Sequence, residues 1–172
     1  MRRRVRVSYC EIHEARHWIA STDLGLCYIG SPNQSEDVMY QWLNQKISNV
    51  LIEYDDKPFE LFAFEIIAYM RGELSVFRTN IDPIGTEFQR RVWTALRTIP
   101  FGQTSTYSDI AKEIGRASAV RAVAAAIGAN PILIINPCHR VIGKNGALTG
   151  FRAGLAMKEM LLRLEKKPPQ YS

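Results

Sequence analysis

The most unusual stretch of this 172-residue chain is Asn130-Pro131-Ile132-Leu133-Ile134-Ile135-Asn136-Pro137-Cys138-His139-Arg140-Val141-Ile142-Gly143. Its apolar run predicts a buried strand that leads into a cysteine, a histidine and an arginine. Neighbouring positive charge favours the thiolate form of a cysteine, and the thiolate is the nucleophile. Adjacent residues of a strand face opposite ways, so His139 can serve Cys138 only if the chain turns or a water bridges them. The alternative is an inert buried cysteine beside a surface histidine.

Two helical patterns precede this stretch and are joined by Gly115. The first covers residues 107–114, and the alanine-rich second covers residues 117–127. Such a pair is typical of a helix-turn-helix, although two packed core helices give the same pattern. Readers of the major groove carry Arg, Lys, Asn or Gln at several positions, whereas the second helix offers Arg121 alone. The pattern therefore favours contact with DNA backbone and shape over recognition of an operator sequence.

Charge is divided unevenly along the chain. Residues 1–83 carry 9 basic and 12 acidic residues, whereas residues 84–172 carry 13 basic and 5 acidic residues. A basic half attracts polyanions, nucleic acid first among them. A solvated basic surface without a partner is the alternative that charge alone leaves open.

The first half of the chain carries signals of a mixed α/β unit. Residues rich in branched and aromatic side chains predict strands at 16–21, 25–30 and 50–53. Apolar residues at helical spacing predict helices at 35–47 and 59–70. These elements indicate a domain of about three strands and two helices.

The second half begins after the turn-forming segment Asp82-Pro83-Ile84-Gly85. Thr86 and Gln89 then predict a capping box that opens a helix. A final helix over residues 154–165 carries Glu165, a candidate acceptor that could orient a catalytic histidine. We therefore predict domains over residues 1–83 and 84–167, followed by a tail over residues 168–172.

Composition limits the class of protein. The chain is 47% apolar and 23% charged, which is ordinary for globular domains. No apolar run approaches the roughly 18 residues that a membrane helix needs, so no membrane partner is expected. The basic start is not followed by the apolar stretch of a secretory signal, and three cysteines cannot all pair. We expect a cytoplasmic protein with reduced thiols.

The stretch Pro137–Gly143 resembles the active-site motif of the O6-alkylguanine-DNA alkyltransferases, also called methylated-DNA–protein-cysteine methyltransferases. The match extends in register over about residues 86–166, which makes it specific. Its other motifs are Phe88-Gln89-x-x-Val92-Trp93, Ile99-Pro100-x-Gly102-Gln103, Thr106-Tyr107, Arg121-Ala122-Val123, Asn130-Pro131 and Lys158-x-x-x-Leu162-x-x-Glu165. The first half matches more weakly, through Ile19-Ala20-Ser21-Thr22-x-x-Gly25-Leu26-Cys27.

The resemblance implies both a fold and an activity. The expected fold is a ribonuclease H-like α/β N-terminal domain followed by a mainly α, winged-helix-like C-terminal domain that contains the helix-turn-helix. The expected activity is DNA repair by direct transfer of the alkyl group from O6-alkylguanine, and from O4-alkylthymine, to the protein's own cysteine. The protein is expected to act once, as a monomer, on double-stranded DNA that carries alkylated bases.

Catalytic roles follow from the resemblance residue by residue. Cys138 would accept the alkyl group, and His139, oriented by Glu165, would take the thiol proton through a water. Tyr107 would donate its hydroxyl hydrogen to the guanine ring nitrogen and so improve the leaving group. A buried core tyrosine is the alternative for Tyr107, and a solvated carboxylate at the helix end is the alternative for Glu165.

DNA contacts are expected from the same resemblance. Arg121 would enter the base stack and occupy the space of the flipped base, because a side chain cannot reach a base inside a duplex. Ala122 would lie with Arg121 on the helix in the minor groove, and Thr106 and Arg140 would also contact DNA.

The substrate pocket is expected to be formed by Asn130, Val141, Phe151, Arg152 and Lys158. Asn130 would brace the active-site turn, and the carbonyl of Val141 would contact the exocyclic amine of the base. Three residues depart from the family pattern. Asn136 stands where an aliphatic residue is usual, and Phe151-Arg152 stands where many members have Tyr-Ser. None of these departures removes a catalytic residue.

Other functions remain as alternatives. A non-catalytic protein of the same fold that binds alkyl lesions is the main one, and a DNA-binding regulator and a cysteine hydrolase are weaker. No cofactor or metal is expected for the alkyl transfer. A zinc site would need ligands such as Cys10, His13, His17 and Cys27, whose spacing matches no zinc motif.

Overall fold

The computed structural model describes residues 2–167, which divide into two compact units. The first unit ends at Ile84 and the second begins at Gly85, one residue after the boundary expected from the sequence. The first is built around a sheet, and the second is mainly helical. The predicted tail at 168–172 lies outside the described residues. Within residues 2–167 every helix is too short or too polar to cross a membrane.

The first unit is a four-stranded mixed sheet with two helices. Its elements are β1 (Arg3–Ile12), β2 (Ala15–Thr22), β3 (Gly25–Ile29), α1 (Glu36–Lys46), β4 (Val50–Tyr54) and α2 (Glu60–Met70). The strand order is β3-β2-β1-β4, with β4 parallel to β1 and the other pairs antiparallel. The strands predicted at 16–21, 25–30 and 50–53 and both predicted helices are present, but the sheet has four strands instead of about three, because β1 adds one.

The alternation of side chains between the two faces of β1 explains how this sheet packs against α1. Val5 and Val7 point to the same face, where they are fully buried against Met39 and Leu43 of α1. Ser35 caps α1 by accepting a hydrogen bond from the amide of Asp37 at 3.3 Å, as the sequence indicates. Burial of these branched side chains supplies most of the driving force for this unit.

Up to residue 167, the second unit contains four α-helices, two short strands and a short 3₁₀ helix. Its elements are α3 (Glu87–Leu96), β5 (Ser105–Thr106), α4 (Tyr107–Glu113), α5 (Val120–Gly128), a short 3₁₀ helix (Cys138–Arg140), β6 (Val141–Ile142) and α6 (Leu155–Glu165). Strand β5 pairs in parallel with β6. Trp93 of α3 is buried and donates its indole N–H to the carbonyl of Ala126 in α5 at 2.8 Å, which ties these helices together.

Capping boxes fix the beginnings of α3 and α4. Thr86 Oγ1 accepts from the amide of Gln89, and the Gln89 side chain accepts from the amide of Thr86, as predicted. Thr106 and Asp109 form the same reciprocal pair at the start of α4. This second box places Tyr107 at the first position of α4.

The second helix of the predicted helix-turn-helix begins three residues later than expected. Gly115, at φ +71°, ends α4 and lets the chain reverse. The amide of Ala119 then bonds to the carbonyl of Arg116 at 2.8 Å, so residues 116–119 form a turn. The high helix propensity of alanine does not extend α5 over residues 116–119, because the turn uses the backbone groups that a helix would need.

The predicted strand over the apolar run before Cys138 is wrong. Ile134 has φ +70°, and the amide of Asn136 bonds to the carbonyl of Ile132 at 3.1 Å, so the segment folds into tight turns. Its apolar side chains are nevertheless buried, which is why the sequence resembles a buried strand. A positive φ is strained for a β-branched residue, and the surrounding packing must hold it.

Removing the capping hydroxyl of α3 tests how much this local signal stabilises the second unit. We expect Thr86→Ala to lower the free energy of unfolding by about 1 kcal/mol, because the amide of Gln89 loses the hydroxyl that accepts its hydrogen bond. Urea denaturation followed by circular dichroism measures the change. Thr94→Ala, exposed on the same helix, is the control and should leave stability unchanged or slightly higher. Equal losses in both variants would contradict the capping role.

Candidate active site

Cys138 lies in a pocket of the second unit with a volume of about 390 Å³. The pocket is lined on one side by α5 and on the other by the loop that precedes α6: Tyr107, Ala124, Ile127, Gly128, Cys138, Thr149, Gly150, Phe151 and Arg152. Cys138 begins the 3₁₀ helix and is only 5% exposed. The thiol is therefore reached only through this pocket.

Asn130 holds the cysteine from the interior side. Its Nδ2 donates to Cys138 Sγ at 3.2 Å and to the carbonyl of Asn136 at 2.9 Å. Its Oδ1 accepts from the amide of Ile132 at 3.0 Å and from Nδ2 of Asn136 at 3.2 Å. The brace expected from the sequence is thus present, and one asparagine fixes both the turn and the sulfur.

Burial raises the pKa of the Cys138 thiol above its ordinary value. The hydrogen bond from Asn130 and the positive charges of Arg152 and Lys158 act in the opposite direction without overcoming it. The resting cysteine is therefore a thiol at neutral pH, and reaction requires a proton acceptor. We expected Arg140 to favour the thiolate, but the cations that act on the sulfur are Arg152 and Lys158.

His139 has the geometry of such an acceptor. Its Nε2 lies 2.8 Å from Oε1 of Glu165, and both side chains are buried. Because a carboxylate only accepts, Nε2 carries the hydrogen and Nδ1 has the lone pair. Burial lowers the pKa of His139, so the imidazole is neutral. Nδ1 has no hydrogen-bond partner within residues 2–167 and is the atom left to take a proton.

Arg140 is placed differently from the sequence expectation. We predicted a DNA contact, but the guanidinium is buried and donates to Glu165 through Nε at 2.9 Å and Nη2 at 2.8 Å. Its Nη1 donates to the carbonyl of Ile99 at 2.7 Å. The structure corrects the prediction, because these donors are used inside the unit. Burial alone would raise the pKa of Glu165, but hydrogen bonds from His139 and Arg140 lower it to about 2.

Lys158 is fully buried behind the pocket wall. Its Nζ donates to the carbonyls of Val141 at 2.6 Å, Thr149 at 3.0 Å and Gly150 at 3.4 Å. Burial lowers the pKa of this ammonium group. Lys158 therefore shapes the pocket by holding the loop against β6, and it already occupies the carbonyl of Val141 that we expected to meet the base.

The pocket is lined by Tyr107, which the sequence predicts as a catalytic residue, and by Phe151 and Arg152, which it predicts as pocket residues. The hydroxyl of Tyr107 donates to the carbonyl of Thr149 at 3.0 Å. Arg152 Nε donates to the carbonyl of Asn130 at 3.2 Å, which brings a positive charge close to Cys138. A hydrogen-bond donor and a cation thus meet in the space above the thiol.

The outer face of α5 carries the predicted DNA contacts. Arg121 and Ala122 are exposed at the start of this helix, whereas Val123 is buried. Thr106 uses its hydroxyl within the capping box of α4, accepting from the amide of Asp109 and donating to its carboxylate at 2.7 Å. Its hydroxyl is therefore already engaged, whereas the α5 face is open.

Sequence reasoning missed several pocket residues. Ala124, Ile127 and Gly128 bring the inner face of α5 to the pocket, and Thr149 positions Tyr107. The small side chains of α5 were noted only as a means of approaching DNA, although their helical spacing could have indicated a pocket wall. No cluster of three or more metal-ligating side chains occurs within residues 2–167.

Comparisons with known proteins agree with this site. Residues 87–167 match the family model for the DNA binding domain of 6-O-methylguanine DNA methyltransferase. The inducible methylated-DNA–protein-cysteine methyltransferase of Bacillus subtilis (strain 168) is 50% identical over 150 residues, which are 87% of this chain and 84% of that protein.

Solved structures show the same similarity. The crystal structure of Mycobacterium tuberculosis O6-methylguanine methyltransferase has a TM-score of 0.80 and 36% identity, covering 94% of this chain and 93% of that chain. The Mycobacterium tuberculosis OGT in complex with DNA has a TM-score of 0.78 and 39% identity, covering 95% and 92% of the two chains. The similarity therefore includes both units.

The buried histidine and carboxylate predict how stability depends on pH. The pKa of His139 is below 6.5 in the folded chain, so the unfolded chain binds the proton first and stability falls as pH decreases through 6.5. Glu165, at about 2 when folded and 4.5 when unfolded, adds a further loss below pH 4.5. Urea denaturation between pH 8 and pH 2.5 measures both. His139→Gln should have a smaller slope than the wild type near pH 6, and equal slopes would contradict the assignment.

Proposed function

The chain belongs to the family of methylated-DNA–protein-cysteine methyltransferases, and we propose that it repairs DNA with Cys138 as the alkyl acceptor. The observation that carries this assignment is a buried thiol in a pocket beside a neutral histidine that is bonded to a carboxylate. This is the order of nucleophile, base and orienting group that covalent catalysis requires. The substrate is O6-alkylguanine in double-stranded DNA, with O4-alkylthymine as a second substrate.

The transfer begins with removal of the thiol proton. His139 Nδ1 takes it through a water, and the Glu165 carboxylate at Nε2 stabilises the imidazolium that forms. The thiolate then attacks the alkyl carbon, so that an S–C bond forms while the C–O6 bond breaks. The bonding electrons stay on the guanine, which receives the hydroxyl proton of Tyr107 at its ring nitrogen and leaves as the normal base. The proton that His139 took from the thiol then passes through water to the Tyr107 oxygen, so both side chains return to their neutral forms.

Tyr107 assists the leaving group. Tyr107 lines the pocket that contains Cys138, and its hydroxyl turns from the carbonyl of Thr149, to which it donates in this structure, to the bound base. Donation of this hydrogen to the guanine ring nitrogen disperses the negative charge that develops as the C–O6 bond breaks. The Tyr107 hydroxyl stabilises the transition state more than the bound substrate, because the negative charge on the guanine is small until the C–O6 bond begins to break.

The base reaches the pocket by leaving the DNA stack. The Mycobacterium tuberculosis relative in complex with DNA supports duplex DNA as the partner. The exposed Arg121 and Ala122 lie on the same helix that forms a pocket wall through Ala124, Ile127 and Gly128. A helix of small residues can enter the minor groove, and Arg121 then occupies the space of the extruded base.

The thioether product is stable, and the proposed mechanism includes no second nucleophile that would remove the alkyl group from Cys138. Each copy therefore acts once and without a cofactor, since nucleophile, base and hydrogen-bond donor all come from the chain. One chain supplies every group in this mechanism, and we propose that the protein works as a monomer. A reactive reduced thiol is best preserved in the cytoplasm, where we place the protein.

The domain roles follow from the same proposal. The second unit, from Gly85 to residue 167, would be the DNA-binding and alkyl-acceptor domain, with α4 and α5 as the helix-turn-helix of a winged-helix-like fold. Residues 1–83 form a ribonuclease H-like domain, which is supported by three antiparallel strands extended by the parallel strand β4.

Replacing the acceptor sulfur tests the assignment directly. Wild-type protein mixed with a duplex that contains one O6-methylguanine should gain a single methyl group on Cys138, measured by intact mass and peptide mapping. We expect Cys138→Ser to gain none while still binding the lesion, because a hydroxyl is a far weaker nucleophile at neutral pH. Cys27→Ser is the control and should be methylated normally. Lesion binding by the wild type without any mass change would instead indicate a non-catalytic lesion binder.

Arg121 is tested by comparing two substrates. We expect Arg121→Ala to slow transfer from duplex DNA by roughly tenfold or more while transfer from free O6-benzylguanine changes little, since only the duplex requires base extrusion. Arg116→Ala removes an exposed arginine outside α5 and is the matched control. Equal losses with both substrates would remove Arg121 from base flipping.

A further inference from the structure

Two buried asparagines form a reciprocal pair beneath the acceptor sulfur. Asn136 Nδ2 donates to Oδ1 of Asn130 at 3.2 Å, and Asn130 Nδ2 donates to the backbone carbonyl of Asn136 at 2.9 Å. The second hydrogen of Asn130 Nδ2 is directed at Cys138 Sγ, 3.2 Å away. The side chain of Asn136 therefore bonds to Asn130, and Asn130 bonds to the sulfur of Cys138. The side chain of Asn136 makes no hydrogen bond to the sulfur itself.

Burial of the Asn136 side chain is unfavourable in free energy. The side chain is 0% exposed, and its Oδ1 has no hydrogen-bond partner within residues 2–167. An unsatisfied buried acceptor destabilises a fold, and an apolar side chain of similar size would avoid this. The amide of the Asn130 side chain is already oriented by the amide of Ile132, so the fold does not need Asn136 for that purpose.

We propose that Asn136 is a positioning residue for the alkyl transfer, which acts through Asn130 to strengthen the hydrogen bond that Asn130 donates to Cys138 Sγ. An amide whose oxygen accepts a second hydrogen bond is polarised and becomes a better donor through its nitrogen. The reciprocal pair also holds that nitrogen against the sulfur. The proposal rests on the proposed role of Cys138 as acceptor.

The effect falls on the thiolate more than on the thiol. A hydrogen bond donated to sulfur stabilises the negative charge and so favours the ionised form. Arg152 and Lys158 favour the thiolate by charge at longer range, whereas the Asn136–Asn130 pair acts by direct contact. Asn136 therefore lowers the stability of the fold and raises the reactivity of the sulfur.

The test replaces Asn136 by leucine, which keeps the number and branching of the side-chain heavy atoms and removes the amide. Reaction of Cys138 with iodoacetamide is followed from pH 7 to pH 11 by peptide mass spectrometry. Cys10 and Cys27 lie in other peptides between basic residues, so their reaction is measured separately. We expect N136L to move the midpoint of the pH–rate profile upward by roughly half a unit. Methyl transfer from O6-methylguanine duplex should fall roughly threefold to tenfold.

Stability provides the readout that separates positioning from a structural role. We expect the urea midpoint of N136L to be unchanged or higher, because the unsatisfied acceptor is gone. Ile135→Leu, in the same turn and with no side-chain hydrogen bond to lose, is the matched control and should leave the pH profile unchanged. In an Asn130→Ala background, N136L should have no further effect on the profile, because the residue through which it acts is missing.

The outcomes are distinct. An unchanged profile in N136L, an equal shift in Ile135→Leu, or a loss of stability without a shift would overturn the proposal. Asn136→Val is measured in parallel, and failure of both variants to fold would also overturn it, since the proposal holds that the fold does not need this amide. If the wild type accepts no methyl from DNA but the iodoacetamide profile shifts as expected, the proposed function fails while the effect on Cys138 stands.

Discussion

The buried carboxylate of Glu165 is the interaction on which the second unit depends. It accepts from His139 and twice from Arg140, and so joins the end of α6 to the turn that carries Cys138. Gly102 approaches the same point so closely that a Cβ there would lie 2.8 Å from the backbone carbonyl of Glu165. Removing one partner of such a cluster leaves a charge buried without compensation, which is strongly destabilising. Folding and proton transfer therefore use the same charges.

Because Glu165 serves both folding and proton transfer, the cations around the site have different roles. Arg140 neutralises Glu165, which leaves the histidine neutral and able to accept a proton. Arg152 and Lys158 lie towards the sulfur and favour its ionisation. Had Arg140 been exposed to DNA, Glu165 would face the histidine with no other charge to balance it, and burial would raise the pKa of the carboxyl. Placing one arginine inside thus keeps both members of the pair in the protonation states that the transfer requires.

How much could be predicted depends on whether the signal was local. The capping box at Thr86 and the hairpin strands are set by residues a few positions apart, and both were predicted correctly. The turn at Ile134 was missed because a buried turn and a buried strand have the same apolar composition, and the positive φ is imposed by packing. The burial of Arg140 depends on Glu165, 25 residues away, and no local pattern encodes that contact. The resemblance identified the residues of the site, whereas their contacts required the structure.

A thiol that is consumed by one transfer must not react before its substrate arrives. Burial meets this requirement, because it keeps Cys138 protonated and nearly inaccessible in the resting protein. It also creates the need for every other part of the site: a neutral histidine to take the proton, a carboxylate to stabilise the product of that step, and hydrogen bonds to hold the thiolate. The strained turn, the buried lysine and the paired asparagines all serve to keep these groups in place around one sulfur. An exposed thiolate would need none of them, but stray electrophiles could consume it.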